Sequence, residues 1–106
     1  MIEATIYKAL GDPVRLEIVM RLAKGTPRTI GEVTKGLGVS RQGARKQLQV
    51  LATANIVRFS PQGRETKVVL AIESLRIAQQ FIDKLESQWD QRLNALKDFV
   101  ENDEQL

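Results

Sequence analysis

The chain is 106 residues long, enough for one hydrophobic core and too short for two. It contains no histidine and no cysteine, which excludes Ser-His and Cys-His nucleophilic pairs, zinc sites of the usual nitrogen and sulfur ligands, disulfides and thiol redox sensing. Sixteen basic and thirteen acidic side chains leave a net +3, yet residues 1–70 hold twelve basic against five acidic (+7) while residues 71–106 hold four against eight (−4).

The first residues, Met1-Ile2-Glu3-Ala4-Thr5, carry no basic region followed by an apolar one, and no run of about 18 uncharged apolar residues occurs. No membrane partner is expected, and the cysteine-free composition fits a cytoplasmic location. Ile2, Ile6, Ala9 and Leu10 keep a helical spacing in a first short helix that Gly11 ends. Asp12 then caps a second helix whose first turn accepts Pro13, with Val14, Ile18, Val19 and Leu22 on its buried face. Gly25, Thr26 and Pro27 stop it.

Thr29-Ile30-Gly31-Glu32 reads as a capping box opening a short third helix, with Ile30, Val33 and Leu37 on one side. Gly36-Leu37-Gly38-Val39 makes a tight turn, and Ser40 caps a fourth helix reaching about Ala54. Asn55, a residue that tolerates the left-handed conformation, closes that helix. Two β-type runs follow, residues 56–60 and 66–70, joined by Pro61-Gln62-Gly63-Arg64 as a hairpin with Gly63 at its tip. A last helix runs from near Glu73 to about Val100 without Gly or Pro, which at 1.5 Å per residue is about 40 Å. The expected fold is one domain, residues 1–106, mainly α with a β-hairpin in the order α-α-α-α-β-β-α, with a helix-turn-helix at 29–54 and a wing at 56–70.

The fourth helix carries the functional signal. On a 3.6-residue wheel Ala44, Leu48 and Leu51 share one face, and Gln42, Arg45, Lys46 and Gln49 share another about 140° away. From Ser40 to Gln49 there is no acid, whereas a solvated helix usually mixes both signs, so this face fits double-stranded DNA. Arg donates two hydrogen bonds to guanine and Gln pairs with adenine, and recognition helices touch base edges with their N-terminal turns. Arg41, Gln42 and Arg45 are therefore the candidate base readers, with Ser40, Lys46 and Gln49 nearer phosphates. In the hairpin, Arg64 beside the tip, with Arg58 and Lys67 on the strands, would reach the flanking backbone or minor groove. Arg58 and Lys67 read equally well as edge-strand solubilising groups.

The chain resembles the ArsR family of bacterial winged-helix transcriptional repressors. The matching stretches are Tyr7-Lys8-Ala9-Leu10-Gly11-Asp12-Pro13-Val14-Arg15, the run from Gly31 to Gln42, Lys46-Gln47-Leu48-Gln49-Val50-Leu51, and Gly63-Arg64. The resemblance implies a homodimer paired through its first and last helices, here residues 1–10 and 73–100, that sits on operator DNA and leaves when a signal arrives. Many members sense metals through cysteines on the helix before the recognition helix or through histidines and acids on the last one. Here the first place holds Thr34 and Lys35, and the chain has no such ligands to offer. Asp83, Glu86 and Asp90 share a side of the last helix but read as solvated acids, so no metal and no cofactor is expected. Trp89-Asp90-Gln91-Arg92-Leu93 resembles a signature of metal-independent branches, which leaves a small organic ligand, a protein partner or no ligand as the unknown effector.

The last helix also argues for a homodimer in its own right. Leu75, Ala78, Ile82, Leu85, Trp89, Leu93, Leu96 and Val100 advance by three or four, widened by Phe81 and Phe99, and a lone helix of this length would leave part of the stripe wet. The expected interface comprises Ile2, Ile6, Ile82, Leu85, Trp89, Leu93 and Leu96. Two-fold symmetry then predicts a near-palindromic operator. The competing class is a winged helix used for protein contact without operator binding, which would carry an apolar or mixed-charge fourth helix. Catalysis has no support, because no GxGxxG, GxxxxGK[ST] or GxSxG motif is present. An RNA reader would present stacking aromatics, and only Phe59 lies near the basic surface.

Overall fold

A computed structural model describes residues 1–104. Eight elements follow in order: α1 (Ile2–Leu10), α2 (Pro13–Leu22), β1 (Arg28–Thr29), α3 (Ile30–Thr34), α4 (Arg41–Thr53), β2 (Val57–Gln62), β3 (Glu65–Leu70) and α5 (Ile72–Glu104). The result is the winged helix-turn-helix expected from the sequence, with a third strand that the sequence pattern does not reveal. Two-residue β1 has too few positions to show a period of its own. It exists because Arg28 and Thr29 pair antiparallel with Val68 and Lys67, which places β3 in the middle of a sheet ordered β1-β3-β2.

Local chemistry sets the helix boundaries. The Asp12 carboxylate accepts the backbone N–H groups of Val14 and Arg15 at 3.0 and 3.1 Å, and Pro13 occupies the first turn, where no N–H is required. Thr29 and Glu32 form the reciprocal capping box, each side chain accepting the other's backbone N–H at 3.2 Å. The Thr29 hydroxyl also donates to Glu32 Oε1 at 2.8 Å, and this bond, followed by the Thr29 N–H, holds the Glu32 carboxyl below the usual glutamate range, with smaller help from Lys67 and Arg28. The α3–α4 turn needs Gly36 and Gly38 at φ 76° and 73°, and Ser40 Oγ then caps α4 by accepting the Gly43 N–H at 3.0 Å. At the far end Asn55 takes φ 58°. The Ile56 N–H donates to the Leu51 carbonyl and the Asn55 N–H to the Ala52 carbonyl, a Schellman closure sealed by two fully buried side chains, Leu51 and Ile56.

The hairpin is tighter than expected. Pro61 and Gln62 belong to β2, paired with Thr66 and Glu65, so the loop is only Gly63-Arg64. Pro61 is tolerated because β2 is an edge strand, and Gly63 at φ 64° supplies the first position of the two-residue turn. The core gathers Ile6, Ile18, Val33, Leu48, Leu51, Ile56, Val57 and Val68 from every layer.

The start of α5 is bolted to this core. The buried Ser74 hydroxyl lies 3.0 Å from the Ala54 carbonyl and 2.8 Å from that of Asn55, the two at the end of α4. Tyr7 donates its hydroxyl to the Ala78 carbonyl and tilts its ring against Phe81 at a centroid distance of 5.9 Å. After Phe81 the helix leaves the domain, and every residue from 82 to 102 is exposed. The 33-residue helix is about 50 Å long. It stretches the molecule to 75 × 25 × 25 Å, with a radius of gyration of 20.2 Å against about 13 Å for a compact chain of this size.

Candidate nucleic-acid interface

α4 presents its core face through Ala44, Leu48 and Leu51, all buried, which turns the opposite side outward. Gln42, Arg45, Lys46 and Gln49 line one shared external surface there. Ser40, Arg41 and Arg45 edge the notch between α3 and α4, beside Ile30, Gly31 and Thr34. Arg45 and Gln49 also border a hollow shared with Phe59 of β2 and Thr66 of β3, so the exposed helix face is continuous with the strands of the hairpin. Gly43 lies against the cap, where an added Cβ would come within 3.2 Å of Ser40 Oγ.

Charge compensation separates the cations. Among the described residues Arg41, Arg45, Lys46 and Arg64 have no acid within ion-pair distance, while Arg58 meets Glu73 at 3.4 Å and Lys67 meets Glu65 at 3.5 Å. Arg58 and Lys67 thus each have an acid alongside, whereas the helix face and the hairpin tip have none among the described residues. Arg15 and Arg21, which swell the basic count of the first seventy residues, do not join that surface. Arg21 ion-pairs with Glu17 at 3.2 Å and donates to the Val33 and Lys35 carbonyls at 3.1 and 2.7 Å, closing the end of α3. Arg15 is half-buried and donates to carbonyls of α1 and to Gln47 of α4, and residue counting gives no hint of either role.

The predicted dimer residues divide in the same way. Ile2 on α1 and Ile82, Leu85, Trp89, Leu93 and Leu96 on α5 are exposed. Ile6 is not: at 1% exposure it belongs to its own chain's core, because α1 packs that face against the domain. Leu75 and Ala78 pack on the same core, and Phe81 is taken up by Tyr7, so the free stripe begins at Ile82. Among the described residues no group of three Asp or Glu side chains is placed to hold a metal ion, and no helix is long and apolar enough to cross a membrane.

A capped short helix, a glycine turn, an exposed basic helix and a hairpin at its flank define a winged helix-turn-helix protein, a class that reads duplex DNA. Known proteins agree. A family described as a helix-turn-helix domain matches residues 10–58, from the end of α1 to the start of β2. The chain is 33% identical over 97 residues to the HTH-type transcriptional regulator Rv2034 of Mycobacterium tuberculosis, covering 92% of this chain and 87% of that protein. An ArsR-like transcriptional regulator from Rhodococcus sp. RHA1 superposes with a TM-score of 0.81 at 28% identity over 92% of both chains. The homodimeric winged helix-turn-helix DNA-binding domain Mb0332 from Mycobacterium bovis shares the fold, at a TM-score of 0.61 and 24% identity over 85% of this chain and 80% of that one. The chain belongs to the ArsR family of winged helix-turn-helix transcriptional regulators.

Proposed function

We propose that the chain is a homodimeric, sequence-specific repressor without catalytic activity, binding a near-palindromic operator. The observation that carries this reading is the acid-free outer face of α4, whose cations find no ion-pair partner among the described residues. Arg41, Gln42 and Arg45 read bases from the N-terminal turns, Ser40, Lys46 and Gln49 hold phosphates, and Arg64 at the hairpin tip touches the flanking backbone. In this division residues 29–54 are the reading unit, 56–70 the wing, and 1–10 with 73–100 the dimerisation elements. Arg58 and Lys67 contribute less, being paired with Glu73 and Glu65. Repression follows from occupancy, since a dimer seated on an operator excludes other proteins from it.

Dimerisation is supported by the projecting part of α5. Ile82, Leu85, Trp89, Leu93, Leu96, Phe99 and Val100 are each between 43% and 66% exposed. At about 1.5–3 kcal/mol per fully buried large side chain, covering the remaining half on both protomers contributes on the order of 10–20 kcal/mol. Association itself costs about 4–15 kcal/mol, so pairing wins over most of that range. The Mycobacterium bovis domain of this fold is homodimeric, and the same arrangement here would hold the acidic segment away from the duplex.

The test is binding to palindromic duplexes as salt is varied. A phosphate-driven contact must weaken with a log-log slope of about −0.9 per phosphate neutralised, and the complex must contain two chains per duplex. A flat salt response would overturn the reading.

A further inference from the structure

Arg15 on α2 uses all three of its guanidinium nitrogens. Nε donates to the Ala9 carbonyl at 2.7 Å and Nη2 to the Lys8 carbonyl at 3.2 Å, both at the C-terminal turn of α1. Nη1 donates to Oε1 of Gln47 on α4 at 2.7 Å. The last carbonyls of a helix lack intrahelical donors and form its negative end, which is where a cation is best placed. A guanidinium is planar and its N–H directions are rigid, so the three bonds define how α4 sits against α1 in a way that apolar packing does not.

The contact extends in the other direction. Tyr7, one residue before Lys8, donates to the Ala78 carbonyl and packs on Phe81, so α1 is fastened to α5 on one side and through Arg15 to α4 on the other. Gln47 is half-buried and stands between the core face and the solvent, off the surface formed by Gln42, Arg45, Lys46 and Gln49. It is placed to orient α4 without touching the ligand of that surface.

We propose that the Arg15–Gln47 bond sets the angle of the recognition helix relative to the dimerisation layer, and thereby the half-site spacing that the dimer accepts. The proposal rests on the dimeric operator reading above. Arg15 and Gln47 are positioning residues. In a two-fold dimer α1 and α5 are tied to the symmetry axis, so any rotation of α4 against α1 changes the distance and phase between the two reading helices. One added base pair rotates a half-site by about 35° about the duplex axis, and a rigid pair must reject that change where a loosened pair tolerates it.

The experiment measures affinity of the full chain for three duplexes: the palindrome preferred by the unmodified protein, and the same palindrome with one central base pair added or removed. The unmodified protein discriminates between spacings. Gln47→Leu removes the acceptor at nearly constant volume, and Arg15→Lys keeps the charge but loses the fork. Both are expected to leave the dimer intact in sedimentation and binding to random-sequence duplex unchanged, while spacing discrimination falls about tenfold, within the usual range of coupling between sites. Gln47→Glu keeps an acceptor for the guanidinium and should retain the discrimination even though its charge weakens all duplexes alike. The Arg15→Lys, Gln47→Leu double variant should lose no more than either single one, since both break the same link. Wild-type discrimination in the two single variants would overturn the proposal, as would equal losses on operator and random duplex, which mark a merely structural role. An unmodified protein with no spacing preference would instead strike at the dimeric operator reading itself.

Discussion

One helix behaves in two ways along its length. From Ser74 to Phe81, α5 is part of the domain: Ser74 and Ala78 are buried, Leu75 joins the core and Phe81 meets Tyr7. From Ile82 onward the same three-and-four spacing continues, yet nothing among the described residues covers it, and Trp89 stands 61% exposed. Periodicity alone makes no distinction between these halves, because it reports that a face is apolar and not which surface buries it. The distinction comes from where α1 ends. A nine-residue helix reaches only the first turns of α5. The compact region therefore holds its own stability, and the projecting region leaves its apolar stripe uncovered among the described residues.

That contrast can be broken most severely in the core. Leu51, fully buried at the junction of α4 with the sheet, should cost about 2–5 kcal/mol when changed to Ala, visible as a lowered unfolding transition, whereas Leu96→Ala should leave the unfolding of an isolated protomer unchanged. Equal losses would mean that α5 folds back onto the domain. Next comes the arm: Trp89→Asp should weaken self-association by about 2 kcal/mol or more, converting the sedimenting species to a monomer with reduced operator affinity. An unchanged dimer would move the interface elsewhere.

Within the reading surface the effects are smaller and sort by role. Arg45→Ala should cost about 1–3 kcal/mol on the preferred site and relax selectivity there, while Arg64→Ala should weaken all duplexes alike. Identical behaviour across sequences would erase the division between base and backbone readers. Smallest is the capping box, where Thr29→Ala should cost about 1 kcal/mol of stability. Its pH dependence has a fixed sign. Because folding lowers the Glu32 pKa, the stabilisation is fully present above the ordinary glutamate range and is lost as pH falls through the lower folded value. The difference in melting temperature between the native chain and Glu32→Gln should accordingly shrink on acidification, and a constant difference would contradict the assignment.

What was legible in the sequence was local. The Thr29-Glu32 box, the Asp12-Pro13 start, the left-handed Asn55 and the grouping of Gln42, Arg45, Lys46 and Gln49 each depend on residues within a turn or two of one another. What was not legible depends on distant partners. β1 exists only through β3. Ile6 looked like half of an interface until the burial of α1 against its own core decided the matter. Arg15 and Arg21 add to the basic count of the first seventy residues, although they donate to helix-end carbonyls that no composition reveals. Pro61 suggested the end of a strand and instead occupies an edge position that needs no donor.

In the proposed dimer, the projecting arms hold two basic reading surfaces apart. Selecting bound sequences from random duplex DNA, then weighing the complex formed on the winner, tests this arrangement most directly. The expected winner is an inverted repeat whose half-sites lie about one or two helical turns apart, occupied by two chains. A single unrepeated motif occupied by one chain, or no enrichment at all, would contradict it.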